Sequence, residues 1–265
     1  MKRSSRARLS ATAAVGALSL ALLTGCSDEG SADSEGSAGS AGSGDPGSSA
    51  AAPAKALSAT ELEKLLLAEG ELKGFRVDPG DDSIPDSKAD VSADKAECNP
   101  LVWSTSALPP GETDAGANNL VGEDPTGGAS PTGPLTEEGV DMLMEMDMTF
   151  VGLSSYEGDG AEQAMKAVND GVAACADGFA MTGEGDTSQI TEVSAYEGTG
   201  QGDESAAFTM KIDMDGQGTA AFNTEVVRKG GTIATFYTID FGSIGTGKAT
   251  DIPAALIEAQ IAKLK

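Results

Sequence analysis

From Ala206 to Phe241 the chain alternates apolar and polar residues in three successive runs, with a tight turn between each run and the next. Ala206, Phe208, Met210, Ile212 and Met214 interleave with Thr209, Lys211 and Asp213; Phe222, Thr224, Val226 and Arg228 follow Asp215-Gly216. Ile233, Thr235, Tyr237, Ile239 and Phe241 follow Arg228-Lys229-Gly230-Gly231. Side chains alternate across a strand, so a period of two sets one face of each run against a core. Connections this short restrict consecutive strands to antiparallel pairing. The last run reads as the longest strand.

The preceding residues extend the sheet. Ile190 to Tyr196 reads as a further strand. In Asp141-Met142-Leu143-Met144-Glu145-Met146-Asp147-Met148 methionine alternates with mostly acidic residues, and Phe150 continues the methionine side, so a strand is expected to about Tyr156. Helices are expected where the period changes. Ala161, Ala164, Met165, Val168, Val172 and Cys175 share one helical face over 161–176. Leu256, Ile257, Ile261 and Leu264 do so over about 251–264, with Pro253 in the first turn. Near Leu57, Ser58 or Thr60 can cap a helix carrying Leu62, Leu65 and Leu66, followed by an extended piece at Phe75 and Val77. Residues 78–134 are rich in Pro, Gly, Asp and Ser around the apolar island Leu101-Val102-Trp103, and read as a long loop. The expectation is an α+β fold: an antiparallel sheet of about five strands with helices packed on it, in a single domain over 57–265.

The N-terminus has a different composition. Lys2, Arg3, Arg6 and Arg8 precede an apolar run from Leu9 to Leu23, too short to span a bilayer and shaped as an export signal over residues 1–25. Leu23-Thr24-Gly25-Cys26 resembles the lipobox of bacterial lipoproteins, in which the cysteine carries diacylglycerol and becomes the first residue. That resemblance implies lipidation at Cys26 and attachment to the extracytoplasmic face of the cell membrane; two or three acyl chains suffice for stable anchoring. Residues 26–56, almost wholly Ser, Gly, Ala, Asp and Glu, cannot bury an apolar face and read as a disordered tether. Its average reach is about 30 Å.

Charge and composition exclude several classes. The chain carries 17 Lys+Arg against 42 Asp+Glu, a formal net charge of −25, and removal of residues 1–25 takes it to −29. Such a surface repels nucleic acid. There is no histidine, which removes Ser–His–Asp triads, Cys–His dyads and His-based zinc sites. With Cys26 assigned to lipid, Cys98 and Cys175 remain for one disulfide in an oxidising compartment. A free redox pair is the alternative, but no Cys-x-x-Cys spacing supports it.

Short motifs offer further candidates. Gly242-Ser243-Ile244-Gly245-Thr246-Gly247-Lys248 fits a phosphate loop, but Ala249 stands where magnesium needs a hydroxyl. Ser92-Ala93-Asp94-Lys95 fits S-x-x-K without the companion elements of that enzyme class. Asp213-x-Asp215-Gly216 fails the rest of a calcium-loop register. Met142, Met144, Met146 and Met148 could ligate Cu(I) or simply fill a core. Ser155-Tyr156-Glu157-Gly158-Asp159-Gly160 echoes Ala195-Tyr196-Glu197-Gly198-Thr199-Gly200, so Glu157, Asp159 and Glu197 could rim one end of the sheet.

The strand ending at Tyr156, the acidic turn, the Ala-rich helix, Cys175 on its last turn and the distant Cys98 resemble the extracellular sensor domain of mycobacterial PknH-type kinases and related actinobacterial lipoproteins. Those domains typically hold two disulfides, whereas this chain can form one. The resemblance implies an extracytoplasmic binding or sensing module with a cleft beside the sheet; with no histidine and no complete catalytic motif, the expectation is a non-catalytic lipoprotein, monomeric and without cofactor, that takes a small ligand or an envelope protein. The alternatives are a hydrolase of the cell envelope using paired carboxylates and Cu(I) binding on the methionine strand. Cys26→Ser should move the protein from the membrane to the soluble fraction on cell fractionation; retention at the membrane would contradict the anchor.

Overall fold

The computed structural model describes residues 55–78, 84–124, 147–183, 185–214, 216 and 218–265. Cys26, nearly all of the 26–56 tether, and Met142, Met144 and Met146 lie outside the described residues.

All described strands join one antiparallel sheet. They are β1 (Phe75–Asp78), β2 (Val91–Ala93), β3 (Gly116–Glu123), β4 (Asp147–Ser155), β5 (Phe179–Gly183), β6 (Asp186–Ala195), β7 (Glu204–Asp213), β8 (Thr219–Lys229) and β9 (Thr232–Asp240). Their order is β1-β3-β4-β9-β8-β7-β6-β5-β2. The helices are α1 (Ala59–Glu63), α2 (Asn99–Ser104), α3 (Gly160–Ala174) and α4 (Ala254–Ala262).

Nine strands stand where about five are expected, because β1, β2, β3 and β5 lack the signal that marks the others. β1 and β2 have 4 and 3 residues. β5 ends in glycine after 5. β3, Gly-Ala-Asn-Asn-Leu-Val-Gly-Glu, is buried at four successive positions, Asn119 to Gly122. A strand covered on both faces shows no alternation. The long loop expected over 78–134 therefore holds two strands, and its apolar island is α2, with Pro100 tolerated in the first turn. β8, at 11 residues, is longer than β9, at 9, since Phe241 leaves the strand for a 3₁₀ turn.

Alternation along the central strands builds two cores. On one face Phe208, Met210, Ile190, Phe179, Val226 and Ile233 meet Leu101 and Val102 of α2 and Ala161, Ala164, Met165 and Val168 of α3. On the other, Val121, Val151, Leu153, Val227, Ala234 and Phe236 meet Leu62, Leu66 and Leu67 at α1 and Leu256, Ile257, Ile261 and Leu264 at α4. α1 begins with a capping box between Ser58 and Glu61, which holds the Glu61 carboxyl below its ordinary pKa by accepting from Ser58. Gly152 admits the turn after α2: a Cβ there would lie 2.5 Å from the Ala107 carbonyl oxygen.

Cys98, at the start of α2, is bonded to Cys175 at the end of α3, and both are fully buried. The bridge spans 77 residues of sequence and ties the helix layer together. Loop-closure entropy gives about 4–5 kcal/mol for such a span, before native-state strain. The Cys98→Ala/Cys175→Ala pair should therefore lose up to this much unfolding free energy, read as a lower midpoint in equilibrium urea titration.

Candidate functional site

The sheet face that carries α2 and α3 is wider than the two helices. Beyond α2 it is left open as a cleft of about 550 Å³. Five strands supply its floor: Met148 and Phe150 from β4, Tyr237 and Ile239 from β9, Phe222 from β8, Met210 and Ile212 from β7, and Met181 from β5. Ile84, Pro85, Thr105 and Ser106 stand along its side. From β4 to β5 there are five inter-strand steps, about 24 Å at sheet spacing.

The floor is apolar and partly dry. Met210 is 2% exposed and Phe150 and Phe222 are 9% each, while Met148, Met181, Tyr237 and Ile239 are half-buried. Tyr237 packs between two rings, its centroid 5.8 Å from Phe150 and 5.5 Å from Phe222. Burial alone pushes the Tyr237 hydroxyl pKa up. Thr224, opposite Tyr237 in the β8–β9 register, is fully buried, and its hydroxyl has no partner among the described residues. Volume, apolar lining and a few polar groups are the attributes of a small-molecule site.

Met148 is the described member of the methionine run, and it faces this cleft with Met181 and Met210. β4 and β7 are separated by β9 and β8, so Met148 and Met210 sit on strands about 14 Å apart. The thioethers are distributed along the cleft rather than gathered, which suits methionine's role as an adaptable wall. Among the described residues no group of three or more Cys, Asp or Glu is arranged to hold a metal ion.

The other motifs resolve into structural roles. In the glycine-rich loop the amides are engaged internally: Gly242 donates to Asp240 Oδ1 (2.8 Å), Thr246 to the Ser243 carbonyl (2.9 Å) and Gly247 to the Thr219 carbonyl (2.7 Å). Lys248 is exposed, and α4 starts six residues later, so no helix N-terminus follows the lysine as a phosphate loop requires. In the S-x-x-K match, Ser92 lies in β2 and is exposed, whereas Lys95 Nζ donates to the Gly178 carbonyl (2.7 Å). The echoing turns after β4 and β6 do lie at one end of the sheet. Three strands intervene, placing the turns about 19 Å apart, so Glu157, Asp159 and Glu197 do not form a common rim.

Acidic groups are similarly dispersed. Glu225, 1% exposed, is the one fully buried carboxylate among the described residues. It accepts from Thr199 Oγ1 (2.6 Å) and from the Thr199 amide (2.9 Å). Nearby, the Tyr196 hydroxyl is buried without a partner among the described residues, and desolvation, then Glu225 and Asp251, push its pKa up. Asp147 faces Asp240 directly across β4 and β9, partly exposed.

No protein-family model matches the chain, and no curated protein matches it. Among solved structures it is similar to the extracellular domain of PknH from Mycobacterium tuberculosis. The two are 14% identical with a TM-score of 0.42, over 79% of this chain and 95% of that one. No helix among the described residues is long and apolar enough to cross a membrane.

Partial burial, then Asp240 and Glu123, raises the pKa of Asp147 above its ordinary value. The folded state thus binds this proton more tightly than the unfolded chain, whose Asp titrates near ~3.9. The resulting stability is present below that value and lost as pH rises through the folded pKa. Asp147→Asn should accordingly raise the melting temperature at pH ~7, with the gain vanishing near pH ~3.

Proposed function

We propose that the protein is a lipid-anchored, non-catalytic binding or sensing lipoprotein of the extracytoplasmic face of the cell membrane, acting as a monomer. Its ligand is a small apolar molecule held in the sheet-face cleft. The cleft carries the reading. It is about 550 Å³, within the ~300–1,000 Å³ of small-molecule sites, and three methionines and four aromatic rings contribute to its lining. Methionine walls conform to apolar ligands of differing shape. The Tyr237 hydroxyl supplies one polar contact against that background.

Other features support the setting. Leu23-Thr24-Gly25-Cys26 directs the chain to the membrane surface, and the acidic tether lifts the domain clear of it. A net charge of −25 disfavours nucleic acid and anionic ligands, so the ligand is neutral or cationic. A catalytic reading has less to rest on: the chain has no histidine, and no two fully buried carboxylates lie together among the described residues.

A neutral naphthylamine dye, fluorescent only in apolar surroundings, should bind the full chain saturably. Met181→Lys and Ile239→Lys, which place charge on two half-buried cleft positions, should each abolish the signal while leaving the melting temperature within a few degrees. Unchanged dye binding in both variants, or none in the wild type, would contradict the reading.

A further inference from the structure

Burial divides the described methionines into two groups. Met165 beneath α3 is fully buried and Met210 is 2% exposed, whereas Met148, Met181 and Met214 are half-buried. Met148 and Met181 stand at opposite ends of the cleft floor, on β4 and β5. Met214 follows β7 and is not among the residues that line the cleft.

Cys98 and Cys175 are already joined, and both are fully buried. The half-buried thioethers are therefore the oxidisable sulfur of the described domain. A peroxide converts a thioether by transferring one oxygen atom to it. The O–O bond breaks and an S=O bond forms; sulfur gives up two electrons, and the other peroxide oxygen leaves as water. A flexible apolar side chain becomes a polar, chiral one.

The position of each sulfur decides the consequence. Met165 and Met210, whose oxidation would put a polar group into the core under α2 and α3, are out of reach of solvent. Met148 and Met181 are within reach, and a sulfoxide at either stays hydrated in the unliganded cleft, so the fold is kept. An apolar ligand strips that water away. No charged side chain lines the cleft to replace it, and the lining hydroxyls are those of Thr105, Ser106 and Tyr237. Thr105 Oγ1 is engaged with the Leu101 and Val102 carbonyls (3.0 and 2.9 Å). A polar group desolvated without a partner is costly, and here that cost falls on binding and not on folding.

We infer that Met148 and Met181 are sites of modification by peroxide, at which sulfoxidation lowers the affinity of the cleft for its apolar ligand. The inference rests on the cleft being a ligand site.

Treatment of the full chain with hydrogen peroxide, followed by desalting, tests this. Peptide mass spectrometry should find sulfoxide at Met148, Met181 and Met214, with Met165 and Met210 still reduced. Binding of the neutral naphthylamine dye should weaken about tenfold, while the melting temperature stays within a few degrees. Methionine sulfoxide reductases of both stereospecificities should together restore it. Met148→Leu/Met181→Leu should bind the dye before treatment and equally well after it, whereas Met214→Leu should lose binding on treatment as the wild type does. Absence of dye binding in the untreated wild type would remove the cleft reading and the inference with it. Dye binding that is unchanged once Met148 and Met181 are oxidised would overturn the inference alone. So would an equal loss of binding in Met148→Leu/Met181→Leu.

Discussion

A sheet of nine described strands has two faces to cover, and on one of them the described helices reach over only part. At ~4.8 Å per strand the sheet is about 38 Å from edge to edge. α3, with 15 residues, is about 22 Å long, and α2 adds a turn and a half. The disulfide between Cys98 and Cys175 draws those two helices together over Phe208, Ile190 and Val226 rather than letting them spread. Among the described residues no helix lies over the strip from Phe150 and Tyr237 to Met181, which lines the cleft.

The opposite face shows what full coverage looks like. α1 and α4 lie over Val151, Val227 and Phe236, and several polar groups there are paired across long sequence separations. Gln260 Nε2 donates to the Leu65 carbonyl (2.8 Å) and its Oε1 accepts from the Leu67 amide (3.0 Å), joining α4 to the end of α1. Asn223 Nδ2 donates to the Thr250 carbonyl (3.1 Å), which holds the glycine-rich loop to the sheet. Buried polar groups are costly unless paired, and here pairing fixes how the terminal helix meets the first one. The same glycine-rich loop that reads as a phosphate site in one dimension is a strap in three.

Much of this was legible along the chain. Period-two patterning located β6 to β9 and β4, and the period of the alanine-rich helix placed Cys175 on its buried side. Counting cysteines left Cys98 as its partner. β3 was not legible, because Asn119 and Gly122 break its pattern while both of its faces are covered. β2 and β5 are too short to carry a period, and they depend on each other for pairing. The cleft was invisible for a different reason. Met148, Met181, Met210, Phe222 and Tyr237 are each unremarkable members of separate strands, and only the sheet order brings them to one surface.

The central claim is that this uncovered strip binds apolar ligands. Methyl NMR of the methionines reads it directly, since Met148, Met181 and Met210 line the cleft while Met165 is fully buried beneath α3. Titration of the full chain with an uncharged apolar probe should shift the three cleft methyls along a common saturation curve and leave Met165 unmoved. Shifts of Met165 alone, or of none of the four, would contradict the account.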